Sequence, residues 1–154
     1  MRISHHAVVS GTDSLVTVGL GSCIAIAIHD PMARVAGLAH VLLPEPAAHR
    51  LVENPAKFAS TAVPVLIAEM RARGATGPFV GKIAGGSRLF GDLLASTGGT
   101  MGVRNAAAAR AALAAAHVTL VAEDVGGEHG RTVTLDAATG ALTVRGVRRS
   151  DRVL

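Results

Sequence analysis

Cys23 is the single cysteine of the chain, so it can form neither an internal disulfide nor a thiolate metal cluster. What remains is a small buried residue or a reactive thiol. It comes after Gly19-Leu20-Gly21-Ser22, whose glycines allow backbone paths closed to other residues and can turn amide N–H groups toward a developing oxyanion. His40 lies in the next apolar segment. A free thiol titrates near about 8.5, so little of it is thiolate at neutral pH. An imidazolium beside it would depress that value, and could then hand its proton to a departing amine. The expectation for such a pair is a lowered Cys23 pKa and a proton donor for a leaving amine.

The elements that must bring the two together are legible nearby. Ser22–Ile28 is short, apolar and β-branched, which predicts a strand. His29–Arg34 carries Asp30-Pro31, a turn signal, and Val35–Leu43 resumes an apolar strand that Pro44-Glu45-Pro46 stops. This is a β-hairpin. A turn centred between Pro31 and Met32 sets Cys23 directly opposite His40, with Cβ atoms about 4.5–5.5 Å apart. A slip of one residue would send them to opposite faces. A cysteine and a histidine in apolar strands are equally what two core residues look like, and the residues alone leave both readings open.

The rest of the chain alternates in the same way. Ser14–Val18 is strand-like. Pro55–Ala72 has helical spacing through Phe58, Ala62, Val65, Leu66, Glu69 and Met70, with Gly74 as a stop and Pro64 as a kink or late start. Phe79–Ala84 is a strand that runs into Gly85-Gly86. Asn105–His117 is an alanine-rich helix, Val118–Glu123 a strand, and Val125–Gly130 is glycine-rich. Arg131–Leu135 and Leu142–Val147 are strands joined by the polar turn Asp136–Ala141. With no repeat or linker, the pattern predicts one α+β domain over 1–154, its core at about 14–147 and a basic tail at 148–154.

Composition narrows the classes. The hydrophobic fraction is 49%, much of it alanine, with three Phe and neither Trp nor Tyr. The core must pack closely around small side chains, and aromatic platforms for stacked bases are nearly absent, which argues against nucleic acid. The formal charge is +4. Arg145, Arg148, Arg149 and Arg152 form either a solvated end or a patch for an acidic partner. The start of the chain is unlike a signal peptide, and Ala106–Ala122 carries Arg110 and His117, a poor membrane span. These features predict a soluble, cytoplasmic protein without membrane insertion. His5-His6 lacks supporting ligands, so neither metal nor cofactor is expected. Gly85-Gly86 lacks phosphate-loop spacing and is read as a tight turn lining a substrate cleft. Arg104 and Asn105 are read as opening and capping a helix. Gly126–Arg131 is either a turn before a strand or part of a binding rim.

Several segments together resemble one family. Thr17-Val18-Gly19-Leu20-Gly21-Ser22-Cys23 is similar to the glycine-serine-cysteine segment of the chemoreceptor glutamine deamidases (CheD). His29-Asp30-Pro31 and Gly37–Pro44 resemble the family's next two segments. Lys82–Phe90, Gly102-Val103-Arg104-Asn105 and Asp124–Arg131 resemble later ones, in the family's order from about Thr17 to Val147. The resemblance implies an α/β sandwich with mixed sheets and two main helices, similar to bacterial toxin domains that deamidate glutamine. It implies deamidation of glutamines on chemoreceptor cytoplasmic helices, receptor methylesterase activity in some members, and regulation by a CheC-type phosphatase. It also implies Cys23 as nucleophile, His40 as acid–base group and Thr17 as orienting group. A glutamine on a helix needs a shallow cleft, and the small residues Gly19, Gly21, Ser22, Gly85, Gly86 and Ser87 are the expected lining. Scarce aromatics, with Ala84 and Ser87 in place of commoner residues, depart from the family where partners are recognised. The rival readings are another Cys–His hydrolase and a non-catalytic module that docks on a receptor or phosphatase.

Overall fold

Two adjacent strands carry the central pattern. On Ile24–Asp30 the isoleucines 24, 26 and 28 face one side, and Ala25 and Ala27 face the other with Cys23. Every residue of this strand and of Val35–Val41 is buried. A strand covered on both faces reads as continuously apolar, so these two must lie inside a layered fold.

The structure is a computed structural model that describes residues 1–48, 51–88, 99–147 and 149–154. The sequence readings at Leu89, Phe90 and Arg148 lie outside these residues. The elements are β1 (His6–Ser10), β2 (Ser14–Leu20), β3 (Ile24–Asp30), β4 (Val35–Val41), α1 (Ala59–Ala72), β5 (Val80–Gly85), α2 (Met101–Ala115), β6 (Thr119–Val125), β7 (Arg131–Asp136), β8 (Leu142–Gly146) and β9 (Arg152–Val153). One sheet has the order β1-β4-β3-β5-β6 and the other β2-β7-β8-β9. The first is mixed, because β5 and β6 run parallel; the second is antiparallel. This is the α+β architecture expected, in three layers.

The isoleucine face packs under both helices with Leu66, Met70, Ile83 and Leu113. The alanine face meets the second sheet at Leu15, Val133, Leu135, Leu142 and Val144. Small residues on that face let the two sheets approach closely, and Cys23 belongs to this inter-sheet layer.

The hairpin differs from the expectation in one respect. Its loop has four residues, Pro31–Arg34, and pairs Ala25 with His40 and Ile24 with Val41. Asp30 sets this loop. Its Oδ1 accepts from the N–H groups of Met32 and Ala33, its Oδ2 from those of Thr76 and Gly77, and Arg34 takes a positive φ of 51°. Burial alone would raise the Asp30 carboxyl, but these four donors outweigh it and hold it below its ordinary value. The shift is of two residues. Parity is kept, and Cys23 and His40 share a face as diagonal neighbours.

Other boundaries moved for tertiary reasons. β1 adds an edge to the first sheet beside β4. The basic tail, read as a solvated end or a patch for an acidic partner, is exposed and adds the short strand β9 to β8, with Arg152 3.0 Å from Asp124. Helix α1 starts late, after a 3₁₀ turn at Pro55–Lys57, with Pro64 inside it. Helix α2 starts four residues before Asn105, with Thr100 at its N-cap.

Candidate active site

His40 sits on β4 with its ring in the inter-sheet layer, fully buried. Thr17 reaches it from β2 of the opposite sheet, its Oγ1 2.7 Å from His40 Nδ1. Thr17 is the last residue in register before a bulge in β2, where Gly19 takes a positive φ of 73°. The bulge lets the chain leave β2 and cross to β3 through Gly21-Ser22-Cys23. The glycine run before the cysteine therefore serves the change of sheet.

The contacts around Thr17 bear on the imidazole tautomer. Thr17 Oγ1 also lies 3.2 Å from the Met1 carbonyl, which can only accept. When the hydroxyl gives its one proton there, His40 Nδ1–H donates to Thr17 Oγ1 and Nε2 keeps its lone pair, the tautomer that a base at Nε2 requires. Nε2 is buried and has no hydrogen-bond partner among the described residues. A bare ring nitrogen on the same sheet face as Cys23 is what a base for the thiol requires.

The charges are not those expected from the sequence. Cys23 is 6% exposed, and burial pushes its thiol above the ordinary value, opposed in part by its own backbone N–H. His40 is pushed down to about 4, first by burial and then by the positive charge of the N-terminal ammonium. A lowered thiol beside an imidazolium was expected. Between packed sheets, desolvation disfavours both charged forms, so the resting pair is neutral.

Gly85, Gly86 and Ser87 lie beside the cysteine. Gly86 N–H donates to the Cys23 carbonyl at 2.8 Å, and Ser87 N–H to the Gly21 carbonyl at 2.7 Å. A Cβ on Gly85 would stand 2.3 Å from Cys23 O, and Gly85 has a φ of 119°. The segment is buried, with Ser87 1% exposed. It cradles the backbone of Gly21–Cys23, and the tight turn read as lining a substrate cleft is buried here. Local sequence cannot tell whether a glycine makes room for a ligand or for another strand. Of the other expected lining residues, Gly21 is buried, Ser22 half-buried and Gly19 exposed.

The Gly126–Arg131 segment supports that cradle. Gly126 N–H donates to Gly85 O at 2.9 Å, and Arg88 N–H to Gly127 O at 2.8 Å. Ser87 Oγ donates to His129 O at 2.6 Å and accepts from Arg131 Nη1 at 2.6 Å. Arg131 is itself buried and paired with Asp124 at 2.7 Å. Lys82, from the same resembling segment as the two glycines, reaches instead to the Gly140 and Leu154 carbonyls, each at 2.7 Å.

Asn105 is the residue whose place the sequence missed. It lies in the second turn of α2 and caps nothing. Its Nδ2 donates to Ser22 O at 2.9 Å and to Leu42 O at 3.0 Å. The signal available was its burial-compatible place in the alanine stripe of α2. Arg104, by contrast, is exposed and borders a surface groove with Leu43, Pro44 and Phe58. No group of three or more potential metal ligands occurs among the described residues.

A buried cysteine, histidine and threonine on facing sheets of an α+β sandwich define the class of site. Residues 42–146 match the family model described as CheD, chemotactic sensory transduction. The chain is 42% identical over 138 residues to a Clostridium botulinum protein named "Probable chemoreceptor glutamine deamidase CheD", covering 89% of this chain and 85% of that one. It is 44% identical over 149 residues to a Geobacter metallireducens protein named "Probable chemoreceptor glutamine deamidase CheD 2", covering 96% and 92%. A Moorella thermoacetica protein with the first of these names is 41% identical over 155 residues, covering 99% and 92%. The chain belongs to the CheD family.

Proposed function

We propose that this protein hydrolyses glutamine side chains on chemoreceptors to glutamate, with Cys23 as nucleophile, His40 as base and then acid, and Thr17 as the group that orients His40. The observation that carries this reading is the buried Nε2 of His40, which has no hydrogen-bond partner among the described residues and whose other nitrogen lies 2.7 Å from Thr17 Oγ1. Family membership and the names of the relatives support the substrate.

Cys23 Sγ attacks the glutamine side-chain carbonyl carbon as its proton passes to His40 Nε2. The oxyanion takes the Cys23 N–H. The imidazolium gives its proton to the departing nitrogen, ammonia leaves, and a thioester remains. His40, neutral again, takes a proton from water, which adds to the thioester. Collapse returns that proton to sulfur and releases glutamate. Starting from a neutral pair, the proton moves only when the nucleophile attacks, and neither buried group carries charge between turnovers. A glutamate methyl ester passes through the same thioester with methanol as leaving group. Docking of a CheC-type phosphatase belongs to this proposal as its regulatory arm. Among the described residues no helix is long and apolar enough to cross a membrane, and the proposed site of action is the cytoplasmic part of the receptor.

The test is mass spectrometry of a receptor cytoplasmic fragment incubated with the wild-type protein and with Cys23→Ser. Conversion of glutamine to glutamate and release of ammonia are expected only with the wild type. Serine is close in size but far less ionised and less nucleophilic, so the variant should fold and be inactive. A folded Cys23→Ser protein with full activity would remove Cys23 as nucleophile. Cleavage of the receptor backbone would point to a peptidase.

A further inference from the structure

The β3–β4 ladder stops one residue short of the cysteine. Its last rung pairs Ile24 with Val41. Beyond it the strands part, because the N–H groups of Leu42 and Leu43 turn to the Lys57 carbonyl at 3.1 and 3.0 Å. Beyond Ile24 and Val41 no ladder pair joins Gly21–Cys23 to Leu42–Leu43. Asn105 fills that gap. Its two N–H bonds join Ser22 O, one residue before Cys23, to Leu42 O, two residues after His40, at 2.9 and 3.0 Å.

The orientation of the amide is determined, since a flipped group would set its oxygen against two carbonyl oxygens. Asn105 is fully buried, and its Oδ1 has no partner among the described residues. An unpaired buried acceptor disfavours the folded state, and asparagine is a poorer helix former than leucine. A leucine of similar size would avoid both penalties. What asparagine alone supplies is a pair of donors held on a rigid helix. Gly102, one turn earlier, seats that helix closely: a Cβ there would stand 2.2 Å from Gly86 O. Helix α2 is thus pressed against the same cradle that holds Cys23.

We propose that Asn105 is a positioning residue that acts as the missing rung and sets the placement of Cys23 Sγ relative to His40 Nε2. This rests on the reading of Cys23 and His40 as the reacting pair. Asn105 touches neither substrate nor the reacting atoms, so its effect falls on kcat and leaves receptor binding alone.

The test compares Asn105→Ala and Asn105→Leu with wild type in thermal unfolding, in kcat and KM on a receptor fragment, and in alkylation of Cys23 by iodoacetamide at a pH where the thiol is ionised without help. Both variants should keep the KM and the high-pH alkylation rate. Both should lose on the order of 100-fold in kcat, the loss expected for a misplacement of about 1 Å. Asn105→Leu should unfold at a temperature equal to or above that of Asn105→Ala while being as impaired. That divergence of stability from activity is not produced by a merely structural role. An undiminished kcat in Asn105→Leu, a loss of activity that tracks the unfolded fraction, or failure of both variants to fold would overturn the proposal. Activity surviving in Cys23→Ser would instead fault the underlying reading, and the two failures are separately visible.

Discussion

Replacing Thr17 with valine keeps the β-branch and nearly the volume, and removes only the hydroxyl between His40 Nδ1 and the Met1 carbonyl, at 2.7 and 3.2 Å. The Nδ1–H of a fully buried ring then has no acceptor. An unpaired buried donor costs about 1–3 kcal/mol. The ring can escape part of that cost by moving its proton to Nε2, and in that tautomer it cannot accept the thiol proton from Cys23. If the bias toward the productive tautomer falls by the same about 1–3 kcal/mol, the rate drops roughly 5- to 150-fold, at about 1.4 kcal/mol per decade. The assay is ammonia release from a receptor fragment, with kcat and KM separated, beside nitrogen NMR of the imidazole. Wild type should show Nδ1 protonated and Nε2 bare at neutral pH. Thr17→Val should show a mixture, with a lower kcat and little change in KM, and Thr17→Ser should recover most of the rate. A wild-type ring protonated at Nε2, or a kcat untouched in Thr17→Val, would refute the reasoning.

The neutral resting pair predicts that alkylation of Cys23 against pH has its midpoint above the ordinary value of about 8.5, since burial raises the thiol; a midpoint well below that value would restore the ion pair. Because folded His40 titrates at about 4 and an unfolded one near about 6.5, the unfolded chain takes the proton first as pH falls. Its contribution to stability is whole above about 6.5, declines as pH drops toward 4 and then levels, a loss of about 3 kcal/mol. Denaturant unfolding of wild type against His40→Gln across that window should show the difference, and parallel curves would contradict it. Gly86→Leu should act through folding: the residue has a φ of 68°, and a Cβ there meets Gly102 O at 3.0 Å and Ile24 Cδ1 at 3.1 Å. Thermal unfolding should reveal a loss of about 1–3 kcal/mol or more, and an unchanged midpoint would show that the cradle yields.

The short apolar run Ser22–Ile28 and the turn signal at Asp30-Pro31 are enough to expect a hairpin. A loop of two residues or of four puts Cys23 and His40 on one face, because a strand has period two and a shift of two preserves parity, whereas a slip of one would part them. The family resemblance pointed to Thr17, and the order of elements to an α+β domain. The pairing itself, with His40 opposite Ala25, depended on Asp30 gathering donors from Thr76 and Gly77, residues distant in the chain. The neutral state of the thiol and imidazole depended on the second sheet closing over them, since desolvation belongs to the packed layers and not to either strand. The same holds for Gly85–Ser87, whose glycines make room for the Cys23 backbone, and for Asn105, an interior helical residue whose two acceptors come from segments 83 and 63 positions away. Local sequence encodes periodicity, and periodicity decides faces. Which carbonyl a side chain reaches, and how much water is left around it, is decided only when the layers meet.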